Sequence, residues 1–433
     1  MPICDDVDLS ASIRALARLI AVAAVLPSVS VHAEGTVSPA TDWPVAFKGF
    51  GTLGVARSDS NDAEFVRDLS QPRGVSRQWT TRNDSVLGVQ MNLRLGPQTE
   101  AALQVITRYR PEGTHTPEVS WAFLRHEFSP DLQVRVGRLA PEIYMLADSR
   151  LVGYSNIAIR PPADFYGSLV FAYFDGADVM ASTGVGDGVL RAKLYGGRSP
   201  ERTGFFDPVT WDIRGAQLFG GYLDYLQGPW QLRVTHMQAK FSSPELPLNY
   251  LTNRLIASNP ALAPLQVIAP VDLTGQLPEL STVDTRSRFD SVGVVYDKGA
   301  LQLQGMIGRI KHQSESYEDS RAGFVLGAYR FGALTPYLGY SWVKSTPARV
   351  TTVPAGPFGP ALNALGKEIV AATHLQQHTV TLGVRWDFRP NWALKLQADA
   401  IRGSTDSIFL FRGPNIHWDG RMNVISAALD FAY

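Results

Sequence analysis

The sequence predicts an all-β protein: a 16-stranded antiparallel transmembrane β-barrel with short turns at one end and long outer loops at the other. Three features predict it. Apolar and polar residues alternate along stretches of roughly 9–13 residues, longer than the ~5–6 of strands in soluble sheets and matched to the ~9–11 of a tilted membrane strand. Sixteen such stretches follow one another from Val45, an even number. The links between them are alternately short and long.

Before the first stretch, residues 1–33 read as an export signal: Arg14 and Arg18, an apolar run from Leu19 to Leu26, then Val31-His32-Ala33 as a small-residue cleavage site before Glu34. The run is too short to cross ~30 Å of hydrocarbon. Asp5, Asp6 and Asp8 are foreign to a basic leader and suggest a start downstream of Met1. Cys4, the only cysteine, leaves with this segment, so the mature chain needs no disulfide chemistry in an oxidising compartment. A short lead, 34–44, precedes the barrel domain, 45–433.

The strands then run in order. Segment 45–57 leads into a long loop, and 84–95 and 99–110 join through Gly96-Pro97-Gln98. Segments 118–128 and 132–139 join through Ser129-Pro130-Asp131, and 174–184 and 189–198 through Val185-Gly186-Asp187-Gly188. Gly228-Pro229 links 213–227 to 230–242, and Lys298-Gly299-Ala300 links 286–297 to 301–313. Gly332-Ala333-Leu334 separates 320–331 from 335–345, Arg389-Pro390-Asn391-Trp392 separates 376–388 from 393–403, and 422–433 ends the chain. The Gly, Pro, Asp and Asn of these links are what tight turns demand. The long connections are chiefly 58–83, 140–173, 243–285, 346–375 and 404–421.

Alternation assigns faces. In the last strand Asn423, Ile425, Ala427, Leu429, Phe431 and Tyr433 point outward, while Val424, Ser426, Ala428 and Asp430 point inward. In 376–388, Val380, Leu382, Val384, Trp386 and Phe388 face lipid and Thr379, Thr381, Arg385 and Asp387 face the lumen. Tyr109, Trp121, Tyr340, Trp342, Trp386, Trp392 and Tyr433 are expected in interfacial girdles. Hydrocarbon leaves no partner for a free strand edge, so the sheet must close, and sixteen strands enclose an aqueous channel.

Composition narrows the class further. The 433 residues carry no net charge and no Lys/Arg run, which argues against nucleic acid as a partner. Mean hydropathy is −0.05 and no apolar run of about 20 residues is present, which excludes a helical membrane protein.

Four segments carry a family resemblance: Phe47-Lys48-Gly49-Phe50-Gly51-Thr52-Leu53-Gly54 in the first strand, Asp84-Ser85-Val86-Leu87-Gly88-Val89-Gln90 in the second, Val134-Arg135-Val136-Gly137-Arg138-Leu139 before the third outer loop, and the terminal Leu429-Asp430-Phe431-Ala432-Tyr433. Through them the chain resembles the Gram-negative trimeric outer-membrane porins over essentially its whole mature length. The resemblance implies a homotrimer in outer-membrane lipid, passing ions and small hydrophilic solutes without a cofactor. It implies that the barrel-insertion machinery reads Leu429, Phe431 and Tyr433, and that 140–173 folds inward as a constriction loop. That loop departs from the family's usual Pro-Glu-Phe-Gly-Gly turn. It offers Pro141-Glu142-Ile143-Tyr144, Val152-Gly153-Tyr154 and Arg160-Pro161-Pro162-Ala163-Asp164-Phe165-Tyr166, so selectivity does not carry over.

Such a pore needs a transverse field and a size limit rather than a catalytic group. Strand phase points Arg94, Arg108, Arg110, Arg135, Arg191, Lys193, Arg233, Arg385 and Lys395 inward, with Arg138 at the mouth of the loop. Glu142, Asp148 and Asp164 are the acidic candidates on the loop. The plainer account of these charges is pairing with lumen acids such as Glu100, Asp387 or Asp399. Two other readings stay open: a channel selective for one class, such as carboxylates, and a barrel hydrolase. The hydrolase reading rests only on His312-Gln313-Ser314. His374 and His378, at i and i+4, share a face only on a helix, so no metal site is expected. Segments 243–285 and 361–375 are unusually apolar, and the second suits a short helix. Should these segments cap the mouth, a selective channel is the expectation.

Overall fold

A computed structural model describes residues 44–433, apart from 146, 148, 169, 207–208, 243–247, 269, 348, 408–410 and 413–417. The expected export signal lies outside the described residues.

Sixteen antiparallel strands close into one barrel. They are β1 (Val45–Ser58), β2 (Val86–Arg94), β3 (Thr99–Arg108), β4 (Glu118–Ser129), β5 (Leu132–Leu139), β6 (Phe174–Val185), β7 (Gly188–Arg198) and β8 (Gln217–Gln227). The second half comprises β9 (Trp230–Lys240), β10 (Arg286–Lys298), β11 (Leu301–His312), β12 (Asp319–Tyr329), β13 (Leu334–Thr346), β14 (Gln376–Arg389), β15 (Trp392–Gly403) and β16 (Arg421–Ala432). Each pairs with its neighbours in sequence, and β1 closes the cylinder on β16, with Leu53 opposite Leu429. The largest boundary difference is the start of β8, expected at 213 and found at Gln217. Trp211 and Ile213 carry the alternation there, but they are buried in loop packing, and Gly215 turns the chain at φ +86°.

Turn chemistry explains the tight end. Five links are two residues long, and Gly228 (φ +55°) and Asn391 (φ +65°) supply left-handed backbone that lets strands reverse without splaying. The outward phase forms an apolar belt, with Leu382 61% and Val234 57% exposed. Phe47, Phe128, Trp230, Phe331, Trp386 and Phe388 ring its short-turn end. Tyr109, expected in a girdle, is instead buried at the outer end of β3. The assigned faces of β14 and β16 match: Leu382, Trp386 and Ile425 are exposed, while Thr379, Val424, Ser426 and Asp430 are buried.

The long connections fold over and into the cylinder. Loop 140–173 carries a single helical turn, α1 (Ala163–Tyr166). The two apolar loops hold α2 (Leu248–Ser258), a 3-10 helix (Pro260–Ile268) and α3 (Gly359–Ala371). In α3, Pro360 suits the first turn, and Leu362, Leu365, Ile369 and Val370 fall on one face. All four are buried, each contributing about 1.5–3 kcal/mol if fully removed from water. They join one apolar core with Leu255, Leu262, Leu265, Leu277 and Leu280 from 248–280, Ile143, Tyr144, Phe165 and Tyr166 from loop 140–173, and Phe289, Met306 and Phe324 from the wall.

Candidate functional site

Loop 140–173 enters the lumen from β5 and is tied to opposite walls. On the β14–β2 side, Lys395 Nζ donates to the carbonyls of Gly153 (2.7 Å), Asn156 (2.6 Å) and Ala158 (3.2 Å) and pairs with Asp430 (2.9 Å). Arg385 donates to the carbonyls of Tyr154 (2.6 Å) and Asn156 (2.9 Å). Arg160 forks onto both oxygens of Asp84 (2.9 and 2.8 Å) and reaches Asp399 (2.8 Å), all three groups buried. Burial pushes the Asp84 carboxyl up, but the Arg160 guanidinium beside it wins and holds it below the usual carboxylate range. Gly153 is obligatory here for close approach, since a Cβ would lie 2.2 Å from Thr52 Oγ1 and 2.3 Å from Asp430 Oδ1.

On the β5–β9 side the ties are ionic. Arg135 holds Asp178 on β6 and donates to Glu142 (3.0 Å), which Lys193 on β7 also binds. Burial pushes the Glu142 carboxyl up, yet Lys193 and Arg135 bring it below its ordinary value. Arg233 pairs with fully buried Asp224 (2.6 Å), lies over the Tyr222 ring and donates to the Tyr144 carbonyl (3.0 Å). Between the two sides, the rings of Phe165 and Tyr166 pack on Phe289 and Phe324.

The predicted residues therefore divide. Arg135, Arg233 and Glu142 meet at the loop, and Arg191 shares their inward phase two residues below Lys193. Arg108 and Arg110 gather higher, around Glu118 (2.9 and 3.9 Å). Arg94 lies exposed at the short-turn end of β2, opposite Glu100, far from the loop. Arg138 does not face the lumen: it shares the phase of exposed Val136 and pairs with Asp175 on β6 (2.7 Å), because strand alternation turns it away from Arg135. Asp164 meets no basic wall: it is buried against Ser341 (2.6 Å) and Gln377 (2.7 Å), and burial raises its carboxyl. Asp148 lies outside the described residues. His312 binds Ser287 Oγ (2.7 Å) rather than Ser314.

Sequence reasoning missed the acids that neutralise the basic wall, Asp178 and Asp224, and the loop's own arginines, Arg150 and Arg160. The first two sit on the inward phase of strands adjacent to Arg135 and Arg233, a signal readable once registers are known.

Above the ionic side lies a cavity of about 210 Å³, lined among others by Asp68, Arg108, Arg110, Glu118, Arg150 and Glu201. Smaller cavities of about 20 and 30 Å³ flank Arg160 where the loop meets the β11–β15 wall, room for a water or two. Burial pushes the Glu201 carboxyl up to about 7, although it accepts from the backbone N–H groups of Ala172 (2.8 Å) and Tyr173 (3.1 Å).

No family model matches the sequence, and no curated protein matches it either. Solved structures do. Salmonella typhi OmpF aligns over 90% of this chain and 97% of its own, with a TM-score of 0.55 at 9% identity. The anion-selective porin from Comamonas acidovorans covers 90% and 99% (TM-score 0.51, 13% identity), and the outer-membrane channel DcaP of Acinetobacter baumannii covers 90% and 97% (TM-score 0.50, 11% identity). At these identities the likeness speaks for architecture: the chain has the sixteen-stranded fold of the Gram-negative outer-membrane porins.

Proposed function

We propose that this protein is a porin of the Gram-negative outer membrane, a passive channel for ions and small hydrophilic solutes. The observation that carries the reading is a closed cylinder with an apolar exterior and an inward phase rich in Arg, Lys, Asp and Glu, crossed by a loop anchored to its wall. An apolar band outside and charge inside is what a bilayer selects in a barrel. Solute crosses by diffusion, so no energy source or cofactor is required. Charges on loop and wall orient its dipole, and the loop sets its size limit.

A narrower second reading is favoured by one feature. The helices of the two apolar loops share a core with the constriction loop, so apolar side chains cap that side of the lumen. That arrangement supports a channel selective for a class of solute over a general one. Assembly as a homotrimer, and insertion guided by Leu429, Phe431 and Tyr433, belong to the same proposal.

Planar-bilayer recordings of the purified protein test it. Stepwise ohmic currents are expected; absence of current, together with failure of sugar-loaded liposomes to swell, would remove the pore. Release of fatty acid or peptide by the same preparation would instead favour a barrel hydrolase.

A further inference from the structure

The charges along the ionic side of the lumen pair off almost completely. Arg108 takes Glu118, Arg125 takes Glu100 (2.7 Å), Arg135 and Lys193 share Asp178 and Glu142, and Arg233 takes Asp224. In the 210 Å³ cavity Arg110 faces Glu112 (3.3 Å), and Arg202 and Arg214 share the single carboxylate of Asp212. Asp68 is taken by Arg67 (3.3 Å) and Ser70.

Two cations close to the loop are left over. Among the described residues Arg150, half-buried in the cavity lining, has neither a hydrogen-bonded nor an ion-paired carboxylate; Asp68 acts on it only through its longer-range field. Arg191, below the loop, has an enclosed Nε with no hydrogen-bond partner. The carboxyl left without a cation at hydrogen-bond distance in the cavity is Glu201, whose two partners are backbone N–H groups. A guanidinium fork without a carboxylate, in a concave site, matches the two oxygens of an oxyanion.

We propose that the cavity is an anion-binding vestibule, in which Arg150 holds the carboxylate or phosphate group of a small solute before it passes the loop toward Arg191. The proposal rests on the pore reading for its transport role, but the binding site stands on the cavity alone. Pairing of the neighbouring cations Arg108, Arg135, Lys193 and Arg233 is what leaves these two to meet a solute; a paired arginine presents little net field.

Two measurements separate the site from the pore. Equilibrium dialysis of labelled succinate, and separately of inorganic phosphate, against the detergent-solubilised full chain reads the site. Binding by either, weakened about tenfold or more by Arg150→Gln, is expected from the loss of one charge-assisted contact. Arg309→Gln, exposed on the outward phase of β11 and paired with Asp290 away from the cavity, serves as the folded control. Reversal potentials in a KCl gradient read the path: anion preference is expected, reduced by Arg150→Gln and Arg191→Gln. Equal binding by wild type and Arg150→Gln, or binding by neither anion, overturns the site. Cation preference in a conducting wild-type channel overturns the anion path. Intact, Arg150-dependent binding without any current supports the site and removes the pore instead.

Discussion

The two halves of the lumen solve the same problem with different materials. Around β5–β9 the constriction loop is held by ion pairs, Arg135–Glu142 and Lys193–Glu142, beside an open polar cavity. Around β10–β13 it is held by rings and by a helical cap, with Tyr144, Phe165 and Tyr166 against Phe289 and Phe324. Apolar packing excludes water and blocks, whereas paired charges leave hydrated space and hold with direction. On the pore reading proposed above, the difference assigns the solute route to the ionic side and the role of scaffold to the apolar side.

The largest effect is expected from breaking the scaffold. Replacing Leu365 and Ile369 by Asp puts charges into the apolar core, and unpaired burial is too costly for α3 to stay docked. Single-channel conductance should rise roughly twofold or more as the capped half becomes wet. Unchanged conductance would mean that the cap does not limit flow. Next comes the seat of the loop: Lys395→Met strands Asp430 and three carbonyls, a loss of about 3–5 kcal/mol for a broken buried pair. Noisy, enlarged currents and a lower melting temperature are the readout. Arg135→Gln leaves Asp178 and Glu142 with Lys193 alone and should shift reversal potential toward cations by a few millivolts to about 10 mV. Arg138→Gln should shift it less, since Arg138 lies on the outward phase and is paired with Asp175.

The smallest effect is a pH dependence at the cavity. Glu201 titrates near 7 facing Arg108, Glu118, Arg138 and Tyr173. Because burial raises its pKa, the folded state binds this proton more tightly than the unfolded chain. Its contribution to stability is therefore full at low pH and is lost as pH rises through about 7. Deprotonation also adds a negative charge, so anion preference should weaken between about pH 6 and about pH 8. Glu201→Gln should remove that step from the reversal-potential titration.

Much of this was legible in the sequence, for a physical reason. A strand in lipid must alternate and must be long, so period and length mark every strand from β1 to β16, and Gly or Asn at the tight turns marks their ends. Phase also brought Arg135 and Arg233 to the lumen. Arg138 was assigned by its nearness to the loop, where one step of alternation turns it outward, and Asp164 is a loop residue with no phase to read. Arg150 and Arg160 were invisible for the same cause: what a loop side chain meets depends on walls that are hundreds of residues away in sequence. Arg160 bonds Asp84 and Asp399 from opposite ends of the chain. The apolar loops were readable as apolar, and 361–375 as a helix, but their shared core with the constriction loop was not.

The anchors of the constriction loop have one more consequence, in the order of biogenesis. Lys395, Asp399, Ser426 and Asp430 all belong to the last two strands to be synthesised, while the segment they grip left the ribosome more than 200 residues earlier. This end of the loop is therefore seated only after β15 and β16 are in place, so its docking belongs to the last stage of barrel assembly.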